Sequence, residues 1–254
     1  MSKINYVLVY DSGVGGLTTL SECKKLLPST NFLFFADHEN CPYGTKSPEE
    51  LTSLILTNIQ KIMQTHNICA IVLACNTATT SCIHALRQTF SIPIIGTEPN
   101  LKSPTRENFE HITLLATPAT LAQKRTKHLE IETSSKIHNI SCGNLAHMIE
   151  DYVLSKNHDK KRKIQRYIKH KLKFTPKYHA ITLGCTHYVF MKKYISNTLG
   201  YKCFDGNAGV AKRLADIMSS NNFACNEHRL RFFSSSLSTS MKLKHAFFQF
   251  QNTK

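Results

Sequence analysis

The sequence predicts an α/β protein with two pseudo-symmetric lobes, each a mostly parallel sheet flanked by helices, and an active site in the cleft between them. Short apolar runs alternate with longer amphipathic segments, which is typical of βα units. The segment AIVLACNT at 70–77 also matches AITLGCTH at 180–187 in residue type at nearly every position. An internal repeat of about 108 residues indicates two similar lobes.

The first part of the chain is predicted to contain four strands, which are the apolar runs at residues 6–10, 31–36, 70–74 and 92–95. Helices are predicted between them at 17–27 and at 48–65, and a third follows Cys75-Asn76-Thr77 and extends to about Phe90. The helix at 48–65 places an apolar set on one face: Leu51, Leu54, Ile55, Ile59 and Ile62. These elements predict a first sheet with helices on its faces.

The pattern restarts with predicted strands at 112–116 and 180–184, and a helix follows Thr117-Pro118-Ala119-Thr120. A helix at 210–218 and an edge strand at 229–233 are predicted to return to the first lobe and cover its sheet. We therefore expect residues 1–97 with 207–254 to form the first lobe, and 98–206 to form the second.

Composition excludes several classes of protein. The chain of 254 residues is 41% hydrophobic and 19% charged, which excludes wholesale disorder. The apolar start meets Asp11 too early for a signal peptide, and no apolar run reaches the ~18–20 residues of a membrane span. Nine cysteines without a CxxC pair fit neither a disulfide framework nor a zinc ribbon. We expect a cytoplasmic protein with reduced thiols.

The formal net charge of +15 is unusual, because 32 lysines and arginines face only 17 acidic residues. Such an excess is one feature of proteins that bind an acidic partner such as nucleic acid. Nine of the eighteen positions from 156 to 173 are Lys or Arg, and Ile164, Ile168 and Leu172 recur there every four residues. This spacing predicts a surface helix with one apolar stripe and a solvated basic face. Few aromatic residues are interleaved, so we prefer that interpretation to a nucleic-acid or membrane-surface patch.

The loop DSGVGG at 11–16 follows the first strand and opens the first helix, so its N–H groups are placed to bind an anion. It is not GxGxxG, and no acidic residue stands at the spacing of a ribose contact, which disfavours a nucleotide. We expect the loop to bind a carboxylate. Ser12 would donate a hydrogen bond, and Asp11 would accept one from an amino group or orient a neighbouring acid.

Cys75 and Cys185 each follow a predicted strand directly. A single cysteine is more often a buried apolar residue than a catalyst, and we interpret six others in that way: Cys23, Cys69, Cys82, Cys142, Cys203 and Cys225. Two cysteines at equivalent positions of a repeat instead favour a functional pair. Hydrogen-bonding residues of the kind that a small zwitterionic ligand needs flank both sulfurs: Asn76, Thr77, Thr186 and His187.

Three kinds of chemistry suit two facing thiols. A disulfide redox pair is one, although such cysteines are normally two residues apart. A cysteine nucleophile with His187 as its base is the second. The third is proton transfer at a stereocentre, in which one thiolate removes a hydrogen and the other thiol delivers one to the opposite face. The pseudo-symmetry favours the third, and it requires one thiolate and one thiol.

Five motifs occur in a specific order: DSGVGGL at 11–17, PYGTKS at 42–47, ACNTAT at 74–79, ATPAT at 116–120 and LGCTHY at 183–188. Through them the chain resembles the cofactor-independent glutamate racemases of bacterial cell-wall synthesis, over roughly residues 5–218. The resemblance implies a cytoplasmic enzyme that interconverts L- and D-glutamate without cofactor or metal and supplies D-glutamate for peptidoglycan. The expected partners are glutamate and a second copy of the chain in a homodimer, with no membrane.

The resemblance also implies the site residues. Cys75 would deprotonate the D-enantiomer and Cys185 the L-enantiomer. Asp11 would assist Cys75, while His187 and Glu150 would assist Cys185. Substrate contacts are implied for nine residues: Asp11, Ser12, Tyr43, Gly44, Asn76, Thr77, Thr117, Thr186 and His187.

The sequence departs from the family pattern before PYG, where DHENC at 37–41 replaces the more usual small or basic residues, and at Asp151, where a small residue is expected. Aspartate racemases also use two cysteines, but their second motif usually reads GCTE, so GCTH favours glutamate. Two alternatives stay open: a racemase of aspartate or another amino acid, and a basic nucleic-acid-binding protein on a racemase scaffold.

Overall fold

The computed structural model describes residues 4–221, 223, 227–236 and 239–252. Within these residues, nine strands form two sheets whose neighbouring strands are all parallel. The two-lobed α/β architecture is confirmed.

The first sheet has five strands with β1 at its centre. In spatial order they are β4 (Ile94–Gly96), β3 (Asn67–Leu73), β1 (Asn5–Asp11), β2 (Phe32–Ala36) and β9 (Leu230–Ser234). The late strand β9 pairs with β2 along its full length, so the predicted return of the chain to this sheet edge is confirmed, one residue later than expected. Strand β3 begins three residues before the predicted run, because it pairs with β1 from Asn5 onward.

The second sheet has four strands: β6 (Lys136–Ser141), β5 (His111–Ala116), β7 (Ala180–Leu183) and β8 (Cys203–Phe204). The sequence did not predict β6 or β8. Strand β6 reads KIHNIS and has four exposed side chains, so it lacks an apolar run, and β8 has only two residues. Both are strands because β5 and β7 offer them open edges for backbone hydrogen bonds.

Helices cover the sheets. Those that precede β5 or follow β8 are α1 (Gly16–Leu26), α2 (Pro48–Thr65), α3 (Asn76–Thr89), α4 (Lys102–Arg106), α9 (Asn207–Ser220) and α10 (Ser240–Asn252). Those between β5 and β7 are α5 (Pro118–Ala122), α6 (Lys124–Ile131), α7 (Leu145–Ser155) and α8 (His158–Lys171). The prediction for α2 is confirmed at both ends, and Ser47 caps it by accepting a hydrogen bond from the Glu50 N–H.

The basic segment forms the predicted surface helix, α8. Ile164 and Ile168 of this helix, and Leu172 directly after it, are buried in the core of the second lobe. Lys163, Arg166 and Lys169 are exposed. No helix among the described residues has the length and apolar content needed to cross a bilayer.

The pseudo-symmetry is visible in the strand order. In the first sheet β1 lies between β3 and β2, and in the second β5 lies between β7 and β6. Cys75 follows β3 just as Cys185 follows β7, while Asp11 ends β1 and Thr117 follows β5. The carboxyl ends of these four parallel strands therefore carry the residues that the sequence singled out, which is where ligands bind in open α/β sheets.

Candidate active site

Cys75 lies at the first turn of α3 and is almost fully buried. Its sulfur is 3.8 Å from Ser12 Oγ and accepts a hydrogen bond from the Ala78 N–H. Burial, together with the charges of Asp11 and Cys185, raises the pKa of the Cys75 thiol to about 12, although the hydrogen bonds from Ala78 and Ser12 oppose this rise. The thiol therefore holds its proton near neutral pH, and Cys185 is close enough to influence it.

Cys185 lies in the second lobe at the start of a short 3₁₀ segment, Thr186–Met191. Its Sγ is 3.8 Å from His187 Nδ1, and His187 Nε2 is 2.6 Å from Glu150 Oε2. Burial on its own would lower the pKa of His187, but hydrogen bonds and charge from Cys185 and Glu150 raise it well above the ordinary value. The imidazole beside Cys185 is thus held as a cation by a buried carboxylate.

The DSGVGG loop does bind a carboxylate, and that carboxylate belongs to the protein. The Val14 N–H donates to both oxygens of Glu150, at 2.8 and 3.1 Å. A Cβ at Gly13 would lie 2.4 Å from Glu150 Oε2, so only glycine leaves room for this approach. The backbone of the first lobe therefore positions the acid that supports His187 in the second.

Gly15 has a similar role. A Cβ there would lie 2.4 Å from both His187 Nδ1 and Thr186 Oγ1. The second glycine of the loop is therefore required by close approach of the GCTH segment, since its own backbone is in an ordinary helical conformation.

Asp11 links the two lobes. Its Oδ1 accepts a hydrogen bond from the Gly13 N–H at 2.8 Å, and its Oδ2 accepts one from the Thr186 hydroxyl at 3.1 Å. Complete burial raises the pKa of Asp11, although His187 and the Gly13 N–H oppose this rise. A carboxyl with a raised pKa next to Cys75 is suited to exchange a proton with it.

Thr77 and Thr117 face each other across the cleft, with their Oγ1 atoms 3.5 Å apart. Thr117 also caps α5 by accepting a hydrogen bond from the Thr120 N–H. Asn76 and Thr77 occupy the first turn of α3, where backbone N–H groups point out of the helix toward an anion. The structure thus gathers these three implied contact residues near Cys75.

Tyr43 and Gly44 lie at the mouth of the cleft, in a short 3₁₀ turn, Tyr43–Thr45. The Tyr43 hydroxyl donates to Asp37 Oδ2 at 2.7 Å and lies 2.8 Å from the Tyr10 hydroxyl, so its side chain is held inside the first lobe. A ligand would therefore meet the backbone of this residue. A Cβ at Gly44 would touch Ala119 of the second lobe at 3.6 Å.

The structure adds two residues that the sequence analysis did not single out, and both belong to the unusual DHENC segment. His38 Nε2 is 2.5 Å from Glu150 Oε1, within ion-pair distance but outside hydrogen-bond geometry, and its Nδ1 is 3.0 Å from Ser234 Oγ on β9. The Cys41 thiol has a pKa raised to about 12 by burial, and it senses the charges of His187, Glu150 and Asp11. The departure of this segment from the family pattern was the signal that marked it.

The pKa of Glu150 follows from these contacts. Burial on its own would raise it, but the hydrogen bond from His187 and the close approach of both His187 and His38 outweigh burial and lower the pKa to about 2. Glu150 is therefore ionised throughout the neutral range and serves as the shared anion of two histidines and one backbone N–H.

The chain is similar to known proteins of one family. Residues 18–214 match the Asp/Glu/hydantoin racemase family. The chain is 38% identical over 219 residues to a glutamate racemase from Clostridium acetobutylicum, which covers 84% of this chain and 83% of that protein. It is 37% identical over 213 residues to a glutamate racemase from Clostridium novyi, covering 81% and 80%.

Solved structures show the same fold. The Escherichia coli glutamate racemase, in complex with L-glutamate and the activator UDP-MurNAc-ala, superposes with a TM-score of 0.84 at 25% identity, over 97% of this chain and 95% of that chain. A glutamate racemase isoform from Bacillus anthracis gives a TM-score of 0.78 at 26% identity, over 99% and 95%.

Proposed function

The chain belongs to the Asp/Glu/hydantoin racemase family, and we propose that it interconverts L- and D-glutamate by proton transfer between Cys75 and Cys185. The observation that carries this proposal is the placement of the two thiols at equivalent strand ends, each with its own acid–base partner. Asp11 and Ser12 accompany Cys75, whereas His187 and Glu150 accompany Cys185.

In the direction from L to D, Cys185 acts as a thiolate and removes the α-hydrogen as a proton, leaving the electron pair on the planar carbanion. The imidazolium of His187, 3.8 Å from this sulfur, stabilises negative charge there before the transfer. Cys75, a thiol with a pKa of about 12, donates its proton to the opposite face of the same carbon. One C–H bond breaks, another forms, and no electrons leave the substrate.

In the direction from D to L, Cys75 must first lose its proton. Asp11 would receive it, because its charge acts on Cys75 and its own pKa is raised by burial. The N-terminus of α3 then stabilises the thiolate through the Ala78 N–H and the helix dipole. Two different supporting acids thus serve the two directions.

Substrate binding is proposed for the polar residues of the cleft. The first turn of α3, at Asn76 and Thr77, would hold a carboxylate, with Thr117 opposite it. Asp11 would accept a hydrogen bond from the substrate amine, and the hydroxyls of Ser12 and Thr186 would complete the set. The backbone at Tyr43 and Gly44 would close the mouth of the site.

Glutamate is preferred to aspartate because the GCTH motif fits it and because the relatives that are 37–38% identical are glutamate racemases. We further propose that the enzyme is cytoplasmic, that it acts as a homodimer and that its D-glutamate enters peptidoglycan. The proposed lobe boundaries lie near residues 97 and 207. The nucleic-acid alternative rests only on the net charge of +15.

The test is racemisation by the purified chain, followed by circular dichroism from L- and from D-glutamate without added cofactor. Cys75→Ala and Cys185→Ala should each lose about 10²–10⁴-fold of the activity, the usual effect of removing a general acid or base. Cys23→Ala is the matched control, because Cys23 is a buried cysteine on α1 outside the site. No turnover of glutamate, faster turnover of aspartate, or a Cys185→Ala protein with near wild-type activity would each contradict the proposal.

A further inference from the structure

Three histidines from separate segments meet in the second lobe. They lie toward the amino ends of the strands, whereas the active-site residues lie at the carboxyl ends. His111 is the first residue of β5, His138 lies on β6, and His179 immediately precedes β7. One potential ligand atom from each lies within 4.8 Å of the corresponding atoms of the others. Thr117, at the carboxyl end of β5, is six residues or about 20 Å farther along the strand direction, so this cluster is remote from the thiols.

We propose that His111, His138 and His179 form a binding site for a divalent transition-metal ion of the Zn²⁺ class. Imidazole nitrogens are common ligands of such ions, and three histidines leave one position of a tetrahedral site for water. The resemblance to the racemases implied no metal site, so this metal site is a departure from that expectation.

The strand register explains why the three rings converge. His111 and Thr113 point to the same face of β5, because side chains alternate along a strand. His138 is the direct neighbour of Thr113 on β6, and His179 Nδ1 lies 3.0 Å from Thr113 Oγ1. The backbone of the sheet therefore brings the rings to one face before any metal arrives.

The spacing is close to that of a metal site. His111 Nδ1 and His138 Nε2 are 3.0 Å apart, and the ring centroids of the three pairs lie 4.7–5.3 Å from one another. Tetrahedral ligands with metal–nitrogen bonds of about 2.0–2.1 Å are about 3.3 Å apart. The His111 ring is stacked on the rings of His138 and His179, with interplanar angles of 26° and 9°, so His111 must turn about its side-chain bonds to bring all three nitrogens to one ion.

The orientation of the His179 ring and the access of solvent to the three histidines also suit a metal site. A hydrogen bond between Thr113 and one nitrogen of His179 fixes that ring and leaves its other nitrogen free, as the outer partners of metal-bound histidines do. His179 is buried, His111 is half-buried and His138 is exposed. An ion can therefore reach the site from solvent on the side of His138, while the buried His179 keeps its position. A bound ion would link β5, β6 and the segment before β7.

The experiment uses the untagged, reduced, metal-free full chain titrated with Co²⁺ and with Zn²⁺. We expect one ion per chain and Co²⁺ d–d absorption without a thiolate-to-metal charge-transfer band, which separates histidine ligation from binding at the cysteines. Zn²⁺ at 100 times its Kd should raise Tm by about 5–10 °C.

Three variants assign the site. His138→Ala is at an exposed position and should abolish the Co²⁺ spectrum, while Thr113→Val should weaken binding by about 10–100-fold through loss of the orienting bond. His170→Ala is the matched control, since His170 is an exposed histidine on α8 outside this cluster. Failure of the wild-type chain to bind, or equal binding by His138→Ala, would overturn the proposal. Racemisation by His138→Ala should be unchanged, so either result leaves the proposed function unaffected.

Discussion

The carboxylate of Glu150 and the imidazole of His187 are 2.6 Å apart, and both side chains are almost fully buried. The pKa of Glu150 is lowered from 4.5 to about 2, so its contribution to stability is present above pH 4.5 and is lost as the pH falls through about 2. The pKa of His187 is raised from 6.5, so its contribution is fully present below pH 6.5 and is lost as the pH rises through the raised value. Both contributions are therefore fully present from about pH 4.5 to pH 6.5, and the ion pair itself is lost only when the pH falls through about 2 or rises through the raised pKa of His187.

Glu150→Gln should remove the anion of this pair while keeping the shape of the side chain. A buried His187 cation without its partner costs about 3–5 kcal/mol unless it loses its proton. We therefore expect slower racemisation at pH 7, with the alkaline limb of the pH–kcat profile moved to lower pH. Urea unfolding and a pH profile check both effects, and an unchanged profile would show that Glu150 does not control His187.

His38→Gln tests the second histidine on Glu150. The change removes the ion-pair partner of Glu150 Oε1, and we expect about a tenfold loss in kcat, which corresponds to about 1.4 kcal/mol in the activation free energy. Glu150 should then titrate at higher pH, because His187 alone would oppose its burial and the negative charge of Asp11. The acidic limb of the pH–kcat profile should move upward, with KM little changed. His84→Gln, at an exposed position on α3, is the control and should behave like the wild type.

Gly15→Ala should be severely damaging because the added Cβ would lie 2.4 Å from His187 Nδ1 and from Thr186 Oγ1. Displacing catalytic groups by about 1 Å costs on the order of 10²-fold in rate. Gly209→Ala is the matched control, because this helical glycine has nothing within 4 Å of its added Cβ. The measurement is kcat and KM for both variants. Normal activity of Gly15→Ala would mean that the loop does not fix the position of His187.

Solvent isotope incorporation tests the two-base mechanism directly. In heavy water, Cys75 exchanges its proton with solvent before substrate binds, so early D-glutamate formed from L-glutamate should carry deuterium at Cα. The remaining L-glutamate should stay almost unlabelled at low conversion. Chiral separation with mass spectrometry measures both. Substantial unlabelled D-product would indicate that a single base returns the original hydrogen.

The basic face of α8 is predicted to be a solvated surface. Reversing Lys163, Arg166 and Lys169 to Glu should keep turnover within about twofold, since surface changes away from special features alter stability by about 0.5 kcal/mol or less. A gel-shift assay with RNA and DNA at low and moderate salt tests the alternative function. Salt-sensitive binding that this variant loses, in a chain without racemase activity, would favour the nucleic-acid-binding alternative.

Local pattern and the internal repeat determined the two-lobed fold, helices α2 and α8, and the placement of Cys75 and Cys185 at equivalent strand ends. These features follow from residue spacing within short segments and from the rule that parallel strands share one functional edge. The sequence did not predict strands β6 and β8, because pairing with a neighbouring strand, rather than apolar content, makes them strands.

Tertiary structure alone decided which groups meet. The carboxylate bound by the DSGVGG loop is Glu150, 136 residues away from Val14 in sequence. Tyr43 turns its hydroxyl inward to Asp37, His38 reaches Glu150, and three histidines converge beside Thr113. Distances of this kind depend on how the lobes pack and on strand register, and no spacing within a single segment of the sequence encodes them.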